Sequence, residues 1–182
     1  MQLTITGAHQ TVSKPAIRAW FQASASVLAY HNMPVQEVSV RILPMDHPDL
    51  NSAERIAQGK RRSGWCKCAA SPIEIVINDE YNLDSMGTLI LHEMIHAACT
   101  TFGSEREHVS LEKVTSTLTA RLKPTVSALA QVLLDNTFRN AAYIAHTRKG
   151  MAYRTPEDNR ESDYYDRDQW LKTNPVDPYK KK

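Results

Sequence analysis

The segment from Ile73 to Ala98 reads IEIVINDEYNLDSMGTLILHEMIHAA and changes its hydrophobic period once. In its first part, isoleucine occupies every second position from Ile73 to Ile77, which is the period of a β-strand. In its second part, apolar residues occupy nearly every side of a predicted helix, which indicates a helix buried in a core. The segment therefore predicts a strand followed by a buried helix.

Local signals indicate the two ends of this helix. Asp84 or Ser85 is suited to begin it, and Gly103 is well placed to stop it. We therefore expect the helix to continue as far as Thr101 or Phe102.

Two further helices are predicted after this one. Ser104 and Glu107 form the S-x-x-E signature of a capping box, which predicts the start of a new helix. Because proline lacks an N–H group and clashes with the preceding turn, we expect Pro124 to close that helix. A third helix is expected to start near Pro124 and to extend towards Ile144.

The residues before the quoted segment also alternate between helix and strand signals. Ser13 can cap a helix that has proline in its first turn and continues to about Tyr30. The other predicted elements are a strand at Val35–Leu43, a short helix at Ser52–Gln58 and a hairpin strand at Ser63–Cys68. A helix, then strands, then several helices predict an α+β domain.

Composition divides the chain near residue 147. Residues 1–146 contain the predicted elements and form the predicted domain. Residues 147–182 are polar and poor in large aliphatic side chains, so we expect an extended or partly disordered tail.

Composition also disfavours several classes of protein. The 22 Lys and Arg against 20 Asp and Glu leave a net charge of +2, too small for a protein that coats nucleic acid. No apolar run reaches the roughly 18 residues of a membrane span, and the N-terminus lacks the features of a secretory signal. Three cysteines, an odd number, exclude a disulfide framework. We therefore expect a cytoplasmic, globular protein.

His92, Glu93 and His96 form an H-E-x-x-H motif in the buried helix. Residues i and i+4 share one helix face, so both imidazoles can reach one ion at about 2.0–2.1 Å. Glu93 lies about 100° further round the helix, where it can take a proton from water that the ion activates. Because such side chains are costly in an apolar helix unless they bind a metal or line a cleft, the motif predicts a zinc site.

A catalytic zinc usually has three protein ligands, so this site needs one more. His108 is the strongest candidate, because its helix face also carries Leu111, Leu118 and Leu122 and should point inward. Other candidates stay open from the sequence, namely Glu105, Glu107, Glu112 and His146.

Three residues outside the motif are weighed as secondary features. Cys66 and Cys68 form a C-x-C pair that could touch one metal, although packing on a strand face is the simpler interpretation. Tyr81 follows the predicted strand and is a candidate to stabilise a tetrahedral oxyanion.

The stretch from Gly64 to about Val114 resembles the SprT-like zinc metallopeptidases, which include the Spartan DNA–protein crosslink proteases. The segments that carry this resemblance are Gly64-Trp65, Ile73–Ile77, Gly87–Ala98 and Glu107-His108. The resemblance implies a zincin-like domain with one zinc ion on His92, His96 and His108, and with Glu93 as the catalytic acid and base. It also implies that the strand at Ile73–Ile77 runs beside the cleft and can pair with an extended substrate peptide.

These expectations combine into a zinc-dependent metallopeptidase that hydrolyses peptide bonds in a protein or peptide substrate, with DNA-associated proteins among the candidates. Many relatives carry a zinc ribbon, but no cysteine follows Cys99 here, which removes one route to DNA binding. Two alternatives remain: a DNA- or protein-binding accessory factor whose zinc is structural, and a metal hydrolase that does not cleave peptides.

Overall fold

The computed structural model describes residues 1–99, 105–150 and 172, with backbone only for residues 105–110 and 143–150. The described chain is a mixed α+β fold with one four-stranded sheet. It divides into two compact units, residues 1–130 and 131–182. The sheet, the first three helices and the residues discussed below as a metal site all belong to the first unit.

Four strands and four helices make up the described elements. In chain order they are β1 (Gln2–Thr6), α1 (Lys14–Tyr30), β2 (Glu37–Leu43), α2 (Ala53–Ala57), β3 (Gly64–Lys67), β4 (Ile73–Asn78), α3 (Leu83–Ala98) and α4 (Glu105–Gly150).

The sheet has the strand order β1-β2-β4-β3. Strands β1, β2 and β4 are parallel. Strand β3 pairs antiparallel with β4, as the predicted hairpin. Ile75, Val76 and Ile77 of β4 are fully buried, which places both faces of this central strand in the core. The strand β1 was not predicted, although Leu3 and Ile5 alternate with threonine at the period of a strand; its five residues are exposed or half-buried.

Helices α1 and α3 pack against each other, and α3 also contacts β3 and β4. The close approach depends on Gly87 of α3, because a Cβ atom there would lie 2.3 Å from the indole ring of Trp20 in α1. Ser13 caps α1 by accepting a hydrogen bond from the Ala16 N–H, so the predicted start of this helix is confirmed.

The predicted bounds of α3 were wrong at both ends. Asn82 caps the helix by accepting a hydrogen bond from the Ser85 N–H at 2.9 Å, so α3 begins before the predicted cap residues. It ends at Ala98, because Cys99 leaves the helical region (ψ 66°) and its N–H group bonds to both the Ile95 and the His96 carbonyl. Gly103, the predicted stop, lies outside the described residues.

The predicted break at Pro124 was also wrong, because α4 is one helix with Pro124 inside it. Residues on both sides of the proline are buried at spacings of three or four: Thr115, Thr119, Leu122, Val126 and Ala130. Pro124 and Ala120, whose carbonyl loses its usual donor, both lie on the exposed side, where water can replace the missing bond. Burial of one continuous stripe thus outweighs the local cost of proline.

Some predictions fall on parts of the chain that the structure does not describe. They are the capping residue Ser104, the side chains of Glu105, Glu107, His108 and His146, and most of the predicted tail, residues 147–182. The division into residues 1–146 and 147–182 therefore stays a prediction. Among the described residues, no helix has both the length and the hydropathy that a membrane crossing requires.

Candidate metal centre

The two histidines of the motif lie four residues apart on one face of α3. Their rings stand edge to face, with centroids 4.7 Å apart and an interplanar angle of 75°. The Nε2 atoms of His92 and His96 lie 3.1 Å from each other. Two lone-pair-bearing nitrogens at this distance form the beginning of a metal-binding site, as the i, i+4 spacing predicts.

Glu112 of α4 completes a group of three. Its Oε1 atom lies 3.2 Å from His92 Nε2, and its Oε2 atom lies 3.2 Å from His96 Nε2. Ligand atoms at about 2.0–2.1 Å from a tetrahedral ion are about 3.3 Å apart, so this spacing is within a few tenths of an ångström of zinc geometry. Two imidazoles and a carboxylate are also a ligand set that zinc enzymes use. The donor atoms present therefore fit a zinc ion.

The group is partly open to solvent. His96 is buried and His92 is half-buried, whereas the side chain of Glu112 is 45% exposed. Among the described residues, three donor atoms therefore lie beside a surface that solvent can reach.

Glu93 lies next to this group and is buried, with 5% of its surface exposed. Burial raises the pKa of its carboxyl group to about 8, and the nearby charge of Glu112 adds to the effect, while Arg62 opposes it. A divalent cation at the histidines would favour the ionised form, because an opposite charge lowers a carboxyl pKa. The environment thus suits a group that takes up and releases a proton near neutral pH.

Gly64 explains how β3 can pass directly beside Glu93. A Cβ atom at Gly64 would lie 2.9 Å from the Val76 carbonyl oxygen and 3.3 Å from Glu93 Oε1. A side chain at this position would therefore push against the backbone of β4 and crowd the carboxylate of Glu93.

An open cleft of about 350 Å³ leads to His92 and Glu93. It is lined by residues at the start of β3 and just before it, of α3, and of the connection between β4 and α3: Ser63, Gly64, Tyr81, Ser85, Thr88, Leu89, His92 and Glu93. The hydroxyl groups of Tyr81 and Ser63 are hydrogen-bonded to each other across the cleft. Tyr81, a secondary candidate from the sequence, therefore lines the same cleft as the motif.

The expectation that the strand at Ile73–Ile77 pairs with substrate was wrong. This segment belongs to β4, which pairs with β2 on one side and with β3 on the other. Both of its hydrogen-bonding edges are therefore occupied. Within the described part of the chain, the sheet ends at β3, so β3 is the edge strand beside the cleft.

The sequence located two of the three grouped side chains and left the third open. Glu112 was one of four rivals to His108, and no periodic signal singles it out, because it is one acidic residue on a largely polar helix. His108 lies four residues before Glu112 in α4, but its side chain lies outside the described residues. The assignment of His108 as a ligand therefore stays a prediction beside the observed position of Glu112.

Comparisons with known proteins give no relative: no protein-family model, no curated protein and no solved structure matches this chain.

Proposed function

We propose that this protein is a zinc-dependent metallopeptidase of the zincin type, similar to the SprT-like enzymes. The observation that carries the proposal is the convergence of His92, His96 and Glu112 beside the buried carboxyl group of Glu93, at the end of an open cleft. The H-E-x-x-H spacing alone supports metal binding, whereas a buried proton-accepting group and an accessible cleft also support catalysis.

In this proposal the chain divides the chemistry between two tasks. His92 and His96 hold the ion together with Glu112, and His108 is the alternative third ligand. A zinc ion bound there would supply a Lewis acid, which would lower the pKa of water to about 7 and polarise a carbonyl group. Glu93 takes the proton of the attacking water and passes it to the leaving amine, which its environment suits. Tyr81 is placed in the cleft, where its hydroxyl group can contact the substrate.

In this proposal, the substrate peptide binds along the edge strand β3. An extended peptide that added to β3 would lie along the cleft and pass Gly64, which has no side chain to obstruct it. Backbone hydrogen bonds bind a peptide with little dependence on its sequence, so we expect broad specificity and a preference for unfolded segments.

DNA-associated proteins are a candidate substrate class in this proposal. Lys60, Arg61 and Arg62 are exposed and directly precede β3, so a positively charged surface lies next to the proposed peptide-binding strand. If DNA positions substrates there, it should accelerate cleavage, and the acceleration should decline with salt.

The test is a cleavage assay with an unstructured protein such as casein, with and without single-stranded DNA, combined with zinc analysis. We expect about one zinc per chain, cleavage that 1,10-phenanthroline abolishes and zinc restores, and loss of both zinc and cleavage in His96→Ala. A chain that stays free of metal after incubation with zinc would overturn the proposal. Stoichiometric zinc without any hydrolysis would instead support the accessory factor with a structural zinc.

A further inference from the structure

A second group of reactive side chains lies next to the last turn of α3 and supplies none of the three grouped ligand atoms. Cys66 is on β3, and Cys68 is in the turn that follows this strand. Their Sγ atoms are 3.2 Å apart. The Cys68 S–H group also donates to the carbonyl oxygen of His96 in the last turn of α3, at 3.2 Å.

The end of β3 brings these two sulfurs together. In a continuing strand, residues i and i+2 point to the same face but remain separated by the extended backbone. Here the strand ends at Lys67, whose carbonyl accepts a hydrogen bond from the Ala70 N–H at 3.1 Å. Cys68 therefore departs from the line of the strand, and its side chain turns towards that of Cys66.

The surroundings favour a covalent bond between the sulfurs over a shared metal ion. A zinc site needs at least three protein ligands, and among the described residues no third ligand atom joins the two sulfurs, which are 3.2 Å apart. A disulfide requires about 2.05 Å, a movement of about 1 Å that two side-chain rotations can supply. Both cysteines are half-buried, so a small oxidant can reach them.

We propose that Cys66 and Cys68 form a reversible disulfide by exchange with a low-molecular-weight disulfide such as oxidised glutathione. One cysteine sulfur attacks the small disulfide and releases one thiol, and the second cysteine then displaces the other thiol. Two S–H bonds break and one S–S bond forms, while the small disulfide takes up two electrons and two protons. This modification site does not depend on zinc binding or on peptide hydrolysis.

The bond would alter the contact with α3. Once its sulfur is in a disulfide, Cys68 no longer has an S–H group to donate to the His96 carbonyl. The oxidised protein therefore loses one restraint on the turn that carries a proposed metal ligand.

The test counts free thiols in the full-length protein after reduction, desalting and incubation with oxidised glutathione. The reduced chain has three thiols. We expect one to remain after oxidation, an intact mass lower by two hydrogen atoms, and recovery of three thiols with dithiothreitol. Digestion with trypsin and a glutamate-specific protease should locate the bond between Cys66 and Cys68, because cleavage after Glu74 and Glu93 separates Cys68 from Cys99. Cys99→Ser is the matched control, because it should still lose two thiols, whereas Cys66→Ser and Cys68→Ser should form no internal bond.

Two results would overturn the proposal. One is a wild-type protein that keeps three free thiols or accumulates only the adduct with glutathione. The other is a bridge that maps to Cys99. The thiol count, the intact mass and the position of the disulfide can all be measured on the wild-type chain. The proposal can therefore be tested even if a serine variant does not fold.

Discussion

The two helices that hold the proposed metal ligands differ in almost every respect. Helix α3 has 16 residues, an asparagine cap and a largely buried surface that includes Glu93 and His96. Helix α4 has 46 residues, a proline in its interior and a narrow buried stripe, and its ligand Glu112 is 45% exposed. Polar residues are informative in α3 because burial makes them costly there, whereas a carboxylate on α4 is unremarkable until its neighbours are known.

The largest expected effect comes from the helix with the buried polar residues. Glu93→Gln removes the proposed proton acceptor and keeps a similar shape, so we expect cleavage to fall by about 10²–10⁴-fold while zinc stays bound. Peptidase rates and zinc content of the same sample measure both effects. Glu54→Gln, an exposed position on α2, is the control and should retain full activity. Full activity of Glu93→Gln would remove this residue from the mechanism.

The contribution of α4 is tested by Glu112→Gln, which replaces a charged ligand with a neutral amide. Loss of a residue that only hydrogen-bonds to a zinc ligand lowers zinc affinity by about 10–100-fold. Glu112 is a proposed direct ligand, so we expect the zinc dissociation constant to rise at least that much. Competition with a chromophoric chelator measures it. The neighbouring exposed Lys113→Gln is the control and should bind zinc as the wild type does. If His108→Ala loses zinc and Glu112→Gln does not, the third ligand is His108.

The tight packing of α3 against α1 predicts that one methyl group added at Gly87 destabilises the protein. Gly87→Ala would place a Cβ atom 2.3 Å from the Trp20 ring. Overpacking of this kind costs about 1–3 kcal/mol and should exceed the roughly 1 kcal/mol that alanine gains in helix propensity. Urea unfolding measures the change. Adding Trp20→Phe should recover part of the loss, since the smaller ring leaves room, and strictly additive effects would argue against the contact.

A substitution to alanine in α4 should instead increase stability. Pro124→Ala restores an N–H donor in the helix interior, and we expect a gain of about 1–2 kcal/mol in the free energy of unfolding. Thermal and urea unfolding measure it, with the exposed neighbour Thr125→Ala as a control of smaller effect. A loss of stability in Pro124→Ala would show that the proline is required for the path of α4.

The local sequence determined most of the elements and the centre of the site. A period of two residues identified β2 and β4, a helical period identified α1, and apolar residues on nearly every side identified α3. The i, i+4 spacing identified His92 and His96 as residues that share one helix face. These features depend on neighbours within a few residues, so they can be read from the chain alone.

The tertiary structure decided what depends on contacts between distant residues. It kept α4 continuous through Pro124, because burial of a stripe on both sides outweighs one lost hydrogen bond. It enclosed β4 between two strands and left β3 at the edge, a matter of strand order that periodicity does not contain. It also brought Glu112 to the histidines and Cys66 to Cys68, since the positions of side chains in space follow from the packing of whole elements.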